Sequence, residues 1–389
     1  MIDFTLKEPL MPTSHTPTSV LISGASIAGP SLAYWLQRYG FAVTVIERGP
    51  ELRPGGQPVD IRGVALEVVA RMGLKVHVET QRTRITGVNV LDPTGHEIVR
   101  HTDRTLSAGR HDSGDIEIFR DDLSSLLYEA TKSTVDYRFG DSIAAIDDGP
   151  NKITVAFEQG TTRDFDLVIG ADGIYSRVRH LVFGPNERFL RYLGAYVMIF
   201  TAPNFLELKD WQTAIGDQSR GMLVLPTRAN TELRVFMMFE SEPLPRDLTA
   251  TQQKALLVEK FRGFGWEAPR LLALLNEASD LYFGEIAQIR MPRWSKGRVA
   301  LVGDAGYSPS PRSGQGTSLA FVGAYVLATE LARHGRDHEA AFAHYEERMR
   351  SFVDINQALA IRGPGERASD RELDHAKNAI TLPADSACE

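Results

Sequence analysis

Four residues near the start of the chain have the types and spacing of a nucleotide-binding turn. In "VLISGASIAGPSLAYWLQRYGFAVTVIERGP", Gly24 and Gly29 stand where a tight turn and close helix–strand packing need glycine, with Ser26 between them. Glu47 ends the next apolar run, at the spacing of an acid that binds ribose hydroxyls. The pattern favours a dinucleotide site over an ordinary βα turn, with Ser26 in place of the middle glycine.

Two later segments place glycine and aspartate directly after a strand-like run. Asp172 and Gly173 follow "DLVIG", and Gly303 and Asp304 follow "RVALV" and precede a Pro/Ser/Gly loop and a long helical stretch. An aspartate at the end of a strand can accept from a ribose or ribityl hydroxyl, and glycine-rich backbone at a helix N-terminus can face a pyrophosphate. The sequence therefore predicts three strand ends that converge on one nucleotide.

The apolar pattern indicates which elements carry these motifs. Short apolar runs such as "SVLIS" alternate with helical stretches in the N-terminal half and again near residue 300, as in a buried parallel sheet. Between Leu190 and Glu240 the pattern changes to "LGAYVMIFTA", "GMLVLPT" and "ELRVFMMFE", which are typical of an antiparallel sheet. We expect an α/β chain whose first domain is discontinuous.

The composition argues against several classes of function. The 389 residues carry a formal net charge of −7, which disfavours a nucleic-acid partner. The first residues lack the pattern of a signal peptide, and the longest apolar-rich run, "GTSLAFVGAYVLATEL", is shorter than the ~20 residues that span a bilayer. The single cysteine, Cys388, allows no internal disulfide, and the histidines show no metal-binding spacing. We expect a cytoplasmic protein with no metal and no membrane partner.

With its three motifs in this order, the chain resembles the class A FAD-dependent aromatic monooxygenases of the p-hydroxybenzoate hydroxylase fold from about residue 18 to residue 360. The segments "LISGASIAGPSLAYWLQRYGF", "RPGGQPVDIRG", "FRDDL" and "GDAGYSPSPRSGQG" are most similar to the tetracycline-inactivating members, and they also resemble polyketide-tailoring hydroxylases. The resemblance implies a Rossmann-like FAD-binding domain (18–184 and 286–335) with an inserted, mostly antiparallel β-sheet substrate domain (185–285). A flexible N-terminal segment (1–17) and a C-terminal helical region (336–389) complete the expected organisation.

The resemblance also assigns FAD-contacting roles to residues of each motif. These are Gly24, Ser26, Gly29, Glu47 and Arg48 for the ADP half, Arg53, Gly56 and Asp60 near the flavin and the nicotinamide, and Arg120, Asp172, Gly173, Gly303, Asp304, Gly314, Gln315 and Gly316 along the rest of the cofactor. Local chemistry leaves alternatives open. Arg120 could cap or pair with its own helix, since two aspartates follow it, and Arg48 and Arg53 could be solvated loop charges.

The substrate is expected to meet the antiparallel sheet. The residues expected to contact it have apolar or cationic side chains and lie in this sheet and in the loop after the third motif. They are Met198, Phe200, Arg220, Met222, Arg234, Phe236 and Pro311. Methionine and aromatic side chains adapt to flat rings, and the arginines could meet enol or phenolate oxygens. The pattern favours a planar polycyclic phenol or enol-ketone, such as a tetracycline or an aromatic polyketide. A methionine and phenylalanine stripe is also typical of an ordinary core, and Pro311 of an ordinary loop.

In the family that the chain resembles, the cofactor carries the chemistry: NAD(P)H reduces the flavin, which then activates O₂ to oxygenate the substrate. No separate catalytic side chain is therefore expected. An alternative is an FAD-dependent reductase or dehydrogenase of a small aromatic without oxygen insertion, and another is a regulatory protein that retains FAD for structure. The tryptophans do not form the WxWxIP segment of flavin halogenases. We expect a monomer or weak homodimer.

Overall fold

The computed structural model describes residues 17–278, 280–362 and 368–385, so that Cys388 and most of the expected N-terminal segment lie outside the described residues. The helices of the described part are α1 (Ala28–Arg38), α2 (Val64–Arg71), α3 (Lys75–Thr80), α4 (Arg120–Glu129), α5 (Arg177–Phe183), α6 (Ala250–Lys260), α7 (Ala268–Leu274), α8 (Asp304–Tyr307), α9 (Gly316–His334), α10 (His338–Ala358) and α11 (Asp370–Lys377). Its strands are β1 (Ser19–Ser23), β2 (Ala42–Glu47), β3 (Pro58–Ile61), β4 (Val88–Leu91), β5 (Glu97–His101), β6 (Arg104–Thr105), β7 (Gly109–Arg110), β8 (Ile116–Phe119), β9 (Asp136–Phe139), β10 (Ile143–Asp148), β11 (Ile153–Phe157), β12 (Thr162–Phe165), β13 (Leu167–Gly170), β14 (Leu190–Pro203), β15 (Gln212–Gly216), β16 (Arg220–Pro226), β17 (Glu232–Glu240), β18 (Tyr282–Ile289), β19 (Ser295–Lys296) and β20 (Val299–Leu301).

A six-stranded sheet, in the order β19-β20-β13-β1-β2-β9, forms the centre of the nucleotide-binding part. Its pairs are parallel except β19 with β20. Its central strands are almost completely buried, as expected for a parallel sheet covered on both faces. β20 comes from near residue 300 and lies beside β13, so the strands of this sheet come from distant parts of the chain.

Helix α9 packs between α1 and α10 in the main hydrophobic core. The apolar run of α9 is buried along nearly its whole length. A helix that is apolar on all sides belongs in a protein core or a membrane, and here the neighbouring helices account for the burial. Within the described part of the chain, no helix combines the length and the apolar character needed to cross a bilayer.

The second large sheet has seven strands, in the order β18-β14-β17-β16-β15-β4-β5. Five of them lie between residues 190 and 289 and pair antiparallel, as the sequence predicted. The other two, β4 and β5, come from the N-terminal half, and β4 pairs parallel with β15. The expected boundary at 185–285 therefore leaves out two strands of this sheet. The mixed α/β fold class is confirmed.

Candidate functional site

The turn after β1 needs both of its glycines. Gly24 has a φ of +110°, and a Cβ atom there would lie 2.5 Å from the carbonyl oxygen of Ala171. A Cβ atom on Gly29 would lie 1.9 Å from the carbonyl oxygen of Gly24. Ser26 is exposed, so its position tolerates a side chain. The substituted glycine motif therefore has the geometry of a tight dinucleotide turn, with the serine facing outward.

Glu47 lies at the end of β2 and holds the first turn in place. Its Oε2 accepts from the Ala25 amide at 2.9 Å, and its Oε1 accepts from the Gly49 amide at 3.0 Å. The carboxylate is half-buried beside the turn, where a ribose would lie in a dinucleotide fold. Arg48, the next residue, is exposed to solvent.

The third motif meets the first across the sheet. Gly303 has a φ of +64°, and a Cβ atom on it would lie 3.0 Å from the Cβ atom of Ala28. Asp304 begins α8 and is exposed at this edge, although the surrounding protein desolvates it and raises its pKa. A Cβ atom on Gly316 would lie 3.8 Å from Asp304 Oδ1. We call the loops 24–29, 47–49, 171–176 and 303–316 the nucleotide edge.

Asp172, which is expected to approach the cofactors, forms hydrogen bonds with the start of a helix. Its carboxylate accepts from the Ser176 hydroxyl at 2.5 Å and from the amides of Arg177 at 2.7 Å and Val178 at 3.1 Å. Those donors begin α5, so the side chain of Asp172 caps that helix. Gly173 has a φ of +77°, with open space around the position of a Cβ atom, so its backbone conformation explains the glycine.

Arg120 supports the loop that contains Arg53 and Gly56. It is 5 % exposed, and its Nη2 donates to the carbonyl oxygens of Arg53, at 2.7 Å, and of Gly55. A Cβ atom on Gly56 would lie 2.5 Å from Arg120 Nε. Burial, followed by the charge of Arg53, lowers the pKa of Arg120 to about 10. Arg120 Nε is buried without a hydrogen-bond partner, which leaves a cationic donor suited to an anionic or carbonyl group of a cofactor.

Arg179 is a positioning residue that the sequence reasoning did not single out. It is fully buried, and its Nη1 donates to the Ala305 carbonyl at 2.7 Å while its Nη2 donates to the Ile174 carbonyl at 2.5 Å. It thereby ties the loop of the second motif to that of the third. Burial lowers its pKa to about 10. Arg179 lies in the sequence segment "SRVR", residues 176–179, which begins three residues after Gly173.

Asp60 is connected through Arg62 to the turn Gly314–Gly316 of the nucleotide edge. Asp60 is buried and pairs with Arg62 at 2.8 Å. A Cβ atom on Gly314 would lie 3.4 Å from Arg62 Nη2, so this arginine supports the turn from below. Gln315 is completely buried, and neither polar atom of its side-chain amide has a hydrogen-bond partner. Pro311, in contrast, is exposed.

The seven-stranded sheet has two different faces. On one face, which we call the helix-side face, Met198, Phe200 and Met222 are between 0 % and 3 % exposed. They belong to a core that also contains residues of α6 and α7, such as Leu257 and Leu271. This corrects the expectation that these three side chains line a substrate pocket, because helices already cover them.

Arg220 also lies on the helix-side face and is corrected in the same way. It pairs with Asp217 at 2.6 Å, and its guanidinium lies over the Phe264 ring at 4.9 Å. Its Nη1 donates to the Lys260 carbonyl, the last residue of α6, at 3.0 Å. A cation at the C-terminus of a helix stabilises that helix, so Arg220 has a structural role.

The other face, which we call the nucleotide-side face, carries Arg234 and Phe236. The register places Phe236 opposite Ile199, whereas Met237 is opposite Met198 on the helix-side face. Phe236 packs with Phe119, the residue before Arg120. The face therefore looks toward the nucleotide-binding part of the molecule.

Arg234 lies between two carboxylates that join the sheet to the nucleotide-binding part. It is 3.6 Å from Asp121 of α4 and 3.8 Å from Asp280, and it also contacts the Thr201 hydroxyl. Its Nε is buried without a partner. Asp280, which the sequence reasoning missed, also lies against Gly55, where a Cβ atom would be 2.6 Å from its Oδ2.

Tyr282 is a second residue of the nucleotide-side face that the sequence did not indicate. The guanidinium of Arg53 lies 5.5 Å from the centroid of its ring, so this exposed arginine contacts the substrate sheet. Burial raises the pKa of Tyr282, and it therefore stays protonated at neutral pH. A neutral phenol beside Arg53 can donate to, or stack on, an aromatic ligand.

One group within the described residues could hold a metal ion, far along α9 from the nucleotide edge: Glu330, His334 and His344. The two imidazoles are 3.0 Å apart, a hydrogen-bond distance, and Arg348 lies 2.7 Å from the Glu330 carboxylate. The ion pair with Arg348 and the hydrogen bond between the imidazoles explain why these three side chains lie together. The expectation of no metal stays a prediction.

The residues at the nucleotide edge fit FAD on the geometry above: two glycines that a Cβ atom would block, an exposed Asp304 beside Gly316, and the unpartnered Arg120 Nε. Residues 17–357 match the model of the FAD binding domain family. A flavin-dependent monooxygenase of an unknown prokaryotic organism is 40% identical over 348 residues, which are 89% of each chain. An uncharacterized protein of Mycobacterium tuberculosis is 49% identical over 368 residues, 94% of this chain and 99% of the relative.

Among solved structures, the tetracycline destructase Tet(51) superposes with a TM-score of 0.86 at 34% identity. The match covers 95% of this chain and 100% of that chain, so it includes the seven-stranded sheet as well as the nucleotide edge. FAD is the cofactor that this family binds, and NAD(P)H is its typical co-substrate. The chain belongs to the FAD-binding domain family and is an FAD-dependent monooxygenase.

Proposed function

We propose that the protein uses NAD(P)H and O₂ to oxygenate a planar polycyclic phenol or enol-ketone, such as a tetracycline or an aromatic polyketide. The observation that carries this proposal is the likeness to tetracycline destructase Tet(51) over the whole chain, including the sheet that would cover the substrate. The nucleotide-side face supports it, because Phe236 and Tyr282 pack against the same cluster on the face that also carries the cation of Arg234. A flat, oxygen-rich molecule matches that combination.

In this proposal the substrate residues are Arg234, Phe236 and Tyr282, with Pro311 at the exposed loop. Bound FAD supplies the redox chemistry and the activation of O₂. The chain itself orients the substrate over the nucleotide edge and excludes water from it. Tyr282, which stays protonated, and Arg234 would hold the enol or phenolate oxygens of the substrate.

The FAD contacts proposed at the nucleotide edge can be tested with two aspartates that the structure uses differently. Asp304→Ala should weaken FAD binding about tenfold or more, the effect of losing one charge-assisted hydrogen bond of about 1.5–3 kcal/mol. Asp172→Ala should instead lower the free energy of unfolding by about 1 kcal/mol, because it removes the cap of α5. Equal FAD affinity in the wild type and Asp304→Ala would contradict the proposed contact.

The substrate proposal is tested by NADPH and NADH consumption with a panel of tetracyclines and polycyclic phenols, followed by mass spectrometry. We expect consumption to be slow alone, to accelerate with a polycyclic ligand and to yield a product with one added oxygen atom. Rapid turnover of single-ring acids with no response to any polycyclic compound would overturn the substrate class. Product formation without O₂ would favour the alternative of a reductase or dehydrogenase.

Three further parts of the proposal concern the whole molecule. We infer that the FAD-binding domain comprises 18–184 and 286–335, with a helical region at 336–389, and that the β4–β5 hairpin works with the substrate domain at 185–285. We also infer a cytoplasmic location and a monomer or weak homodimer. Fractionation of cells and sedimentation of the purified holoenzyme test the last two.

A further inference from the structure

Two buried carboxylates face each other behind the nucleotide edge. Asp60 on β3 pairs directly with Glu117 on β8 in an antiparallel ladder. Their exposed fractions are 8 % and 4 %. Residues directly opposite each other in such a ladder point to the same side, with Cβ atoms about 4.5–5.5 Å apart. The two acids therefore share one small, buried environment.

The cations around Asp60 and Glu117 are too few to form an ion pair with each of the two acids. Arg62 pairs with Asp60 at 2.8 Å, and Lys377 pairs with Asp115 at 3.0 Å and with the more exposed Asp374. No cation of the described residues pairs with Glu117. The charge of Arg62 favours the ionised form of this carboxyl, but burial, which favours the protonated form, has the larger effect.

The hydrogen bonds of the two carboxyls are also incomplete. Glu117 Oε1 accepts from the Thr83 hydroxyl at 2.6 Å, and the Ser107 side chain also hydrogen-bonds the Glu117 carboxyl. Asp60 Oδ1 is buried without a hydrogen-bond partner. Burial, together with the charge of Asp60, raises the pKa of Glu117 to about 7, and burial raises that of Asp60 as well. Near neutral pH the pair is close to losing a proton.

A small cavity adjoins Glu117. Its volume is about 30 Å³, and it is lined by Arg82, Thr83, Ile85, Thr105, Ala108, Arg110, His111, Asp115 and Glu117. One water molecule needs at least about 10–15 Å³. The charged groups on the solvent side are Arg82, Arg110 and His111, and Arg110 is already engaged by Asp112 and Asp370.

The opposite side of the cluster supports the turn that is proposed to line the flavin. Arg62, the partner of Asp60, lies below Gly314, and its amide donates to the Ser318 hydroxyl in the first turns of α9 at 3.0 Å. A change of charge at Asp60 and Glu117 therefore changes the electrostatic potential at the turn Gly314–Gly316.

We propose that Asp60 and Glu117 hold one proton between them and exchange it with water in the neighbouring cavity, so that the charge behind the flavin-lining turn changes by one unit when the proton leaves. The proton leaves the Glu117 carboxyl for the water and returns by the same path, and no other bond changes. This inference rests on the proposed placement of FAD at the nucleotide edge only for its effect on the flavin. The proton site itself depends only on residues described above.

The first experiment measures the thermal stability of the holoenzyme as a function of pH. The folded state holds a proton on Glu117 that the unfolded state releases at about pH 4.5, so stability should fall as pH rises from there to about 7. Glu117→Gln keeps the acceptor for Thr83 but cannot titrate, and it should remove this fall. The matched control is Glu97→Gln on the exposed β5, which should keep the pH profile of the wild type.

Two more variants shift the titration in opposite directions. Thr83→Val removes the donor that stabilises the carboxylate, so the inflection should move up by about one pH unit. Asp60→Asn removes the neighbouring negative charge, so the inflection should move down. The infrared band of the protonated carboxyl, followed by pH titration, should lose intensity over the same range in the wild type and be missing in Glu117→Gln.

The effect on the flavin is read from its midpoint potential. In the wild-type holoenzyme the potential should fall more steeply around pH 7, because a negative charge then appears behind the flavin-lining turn, and Glu117→Gln should lack this extra fall. Identical pH profiles of stability and infrared absorption in the wild type and in Glu117→Gln would overturn the shared proton. Altered stability profiles with an unchanged potential would instead overturn the placement of FAD near the pair.

Discussion

The two faces of the seven-stranded sheet carry similar side chains and have different roles. The helix-side face buries Met198, Phe200 and Met222 under α6 and α7, and its arginine, Arg220, holds the end of a helix. The nucleotide-side face carries Phe236 and the arginine Arg234, which contacts Asp121 of the nucleotide-binding part and Asp280, next to the sheet. Residue type alone therefore does not distinguish a core face from a binding face. The part of the molecule that covers each face makes the distinction.

The strongest test of this comparison is Phe200→Ala. Phe200 is completely buried on the helix-side face, so the free energy of unfolding should fall by about 3–5 kcal/mol. Denaturant unfolding of the holoenzyme measures this change. A folded variant of wild-type stability with a raised KM would mean that Phe200 meets substrate, contrary to the structure.

Arg234→Gln should have the next largest effect. Loss of the cation from the nucleotide-side face should lower kcat/KM for the polycyclic substrate about tenfold, which corresponds to about 1.4 kcal/mol. Stability should also fall, since Asp121 and Asp280 lose a partner. Steady-state kinetics at saturating NAD(P)H measures the first effect, and an unchanged kcat/KM would remove Arg234 from the substrate site.

Arg220→Gln is the matched arginine on the helix-side face. Its ion pair with Asp217 and its contact with Phe264 are partly exposed, so we expect a loss of only about 1 kcal/mol in the free energy of unfolding. The value of kcat/KM should not change. A selective rise in KM would show that the helix-side face reaches the substrate after all.

Phe236→Leu should give the smallest effect. Leucine keeps the apolar contact with Phe119 and removes only the ring face, so stability should change by less than about 0.5 kcal/mol. KM should rise about two- to threefold, the size of one lost aromatic contact of about 0.5 kcal/mol. Comparison with Phe200→Ala separates a binding residue from a core residue of the same type.

The nucleotide edge could largely be anticipated from the sequence, because its constraints are local. Gly24 and Gly303 adopt positive φ values directly after strands, and such positions carry the glycine signal whatever surrounds them. The roles of Arg179 and Asp280 could not be anticipated, since each joins loops that are distant in the sequence.

The sequence could not show which side chains on different strands share a face of the substrate sheet, for a different reason. Side-chain alternation shows that Met198 and Phe200 share a face, and that Phe236 and Met238 share one. It does not show how the two strands are aligned. The register pairs Met198 with Met237 and Ile199 with Phe236, which places the two sets on opposite faces.

The parallel pairing of β4 with β15 has a consequence for the order in which the protein folds. Val88 is synthesised long before Gln212, the residue it pairs with in the sheet. The β4–β5 hairpin therefore has no neighbouring strand on the β4 side until β15 has been synthesised. Until then β4 offers an unpaired edge, the kind of surface that invites aggregation. A graft of residues 185–285 into a homologous scaffold would inherit the same problem at β15. A functional chimera would have to carry residues 88–101 as well.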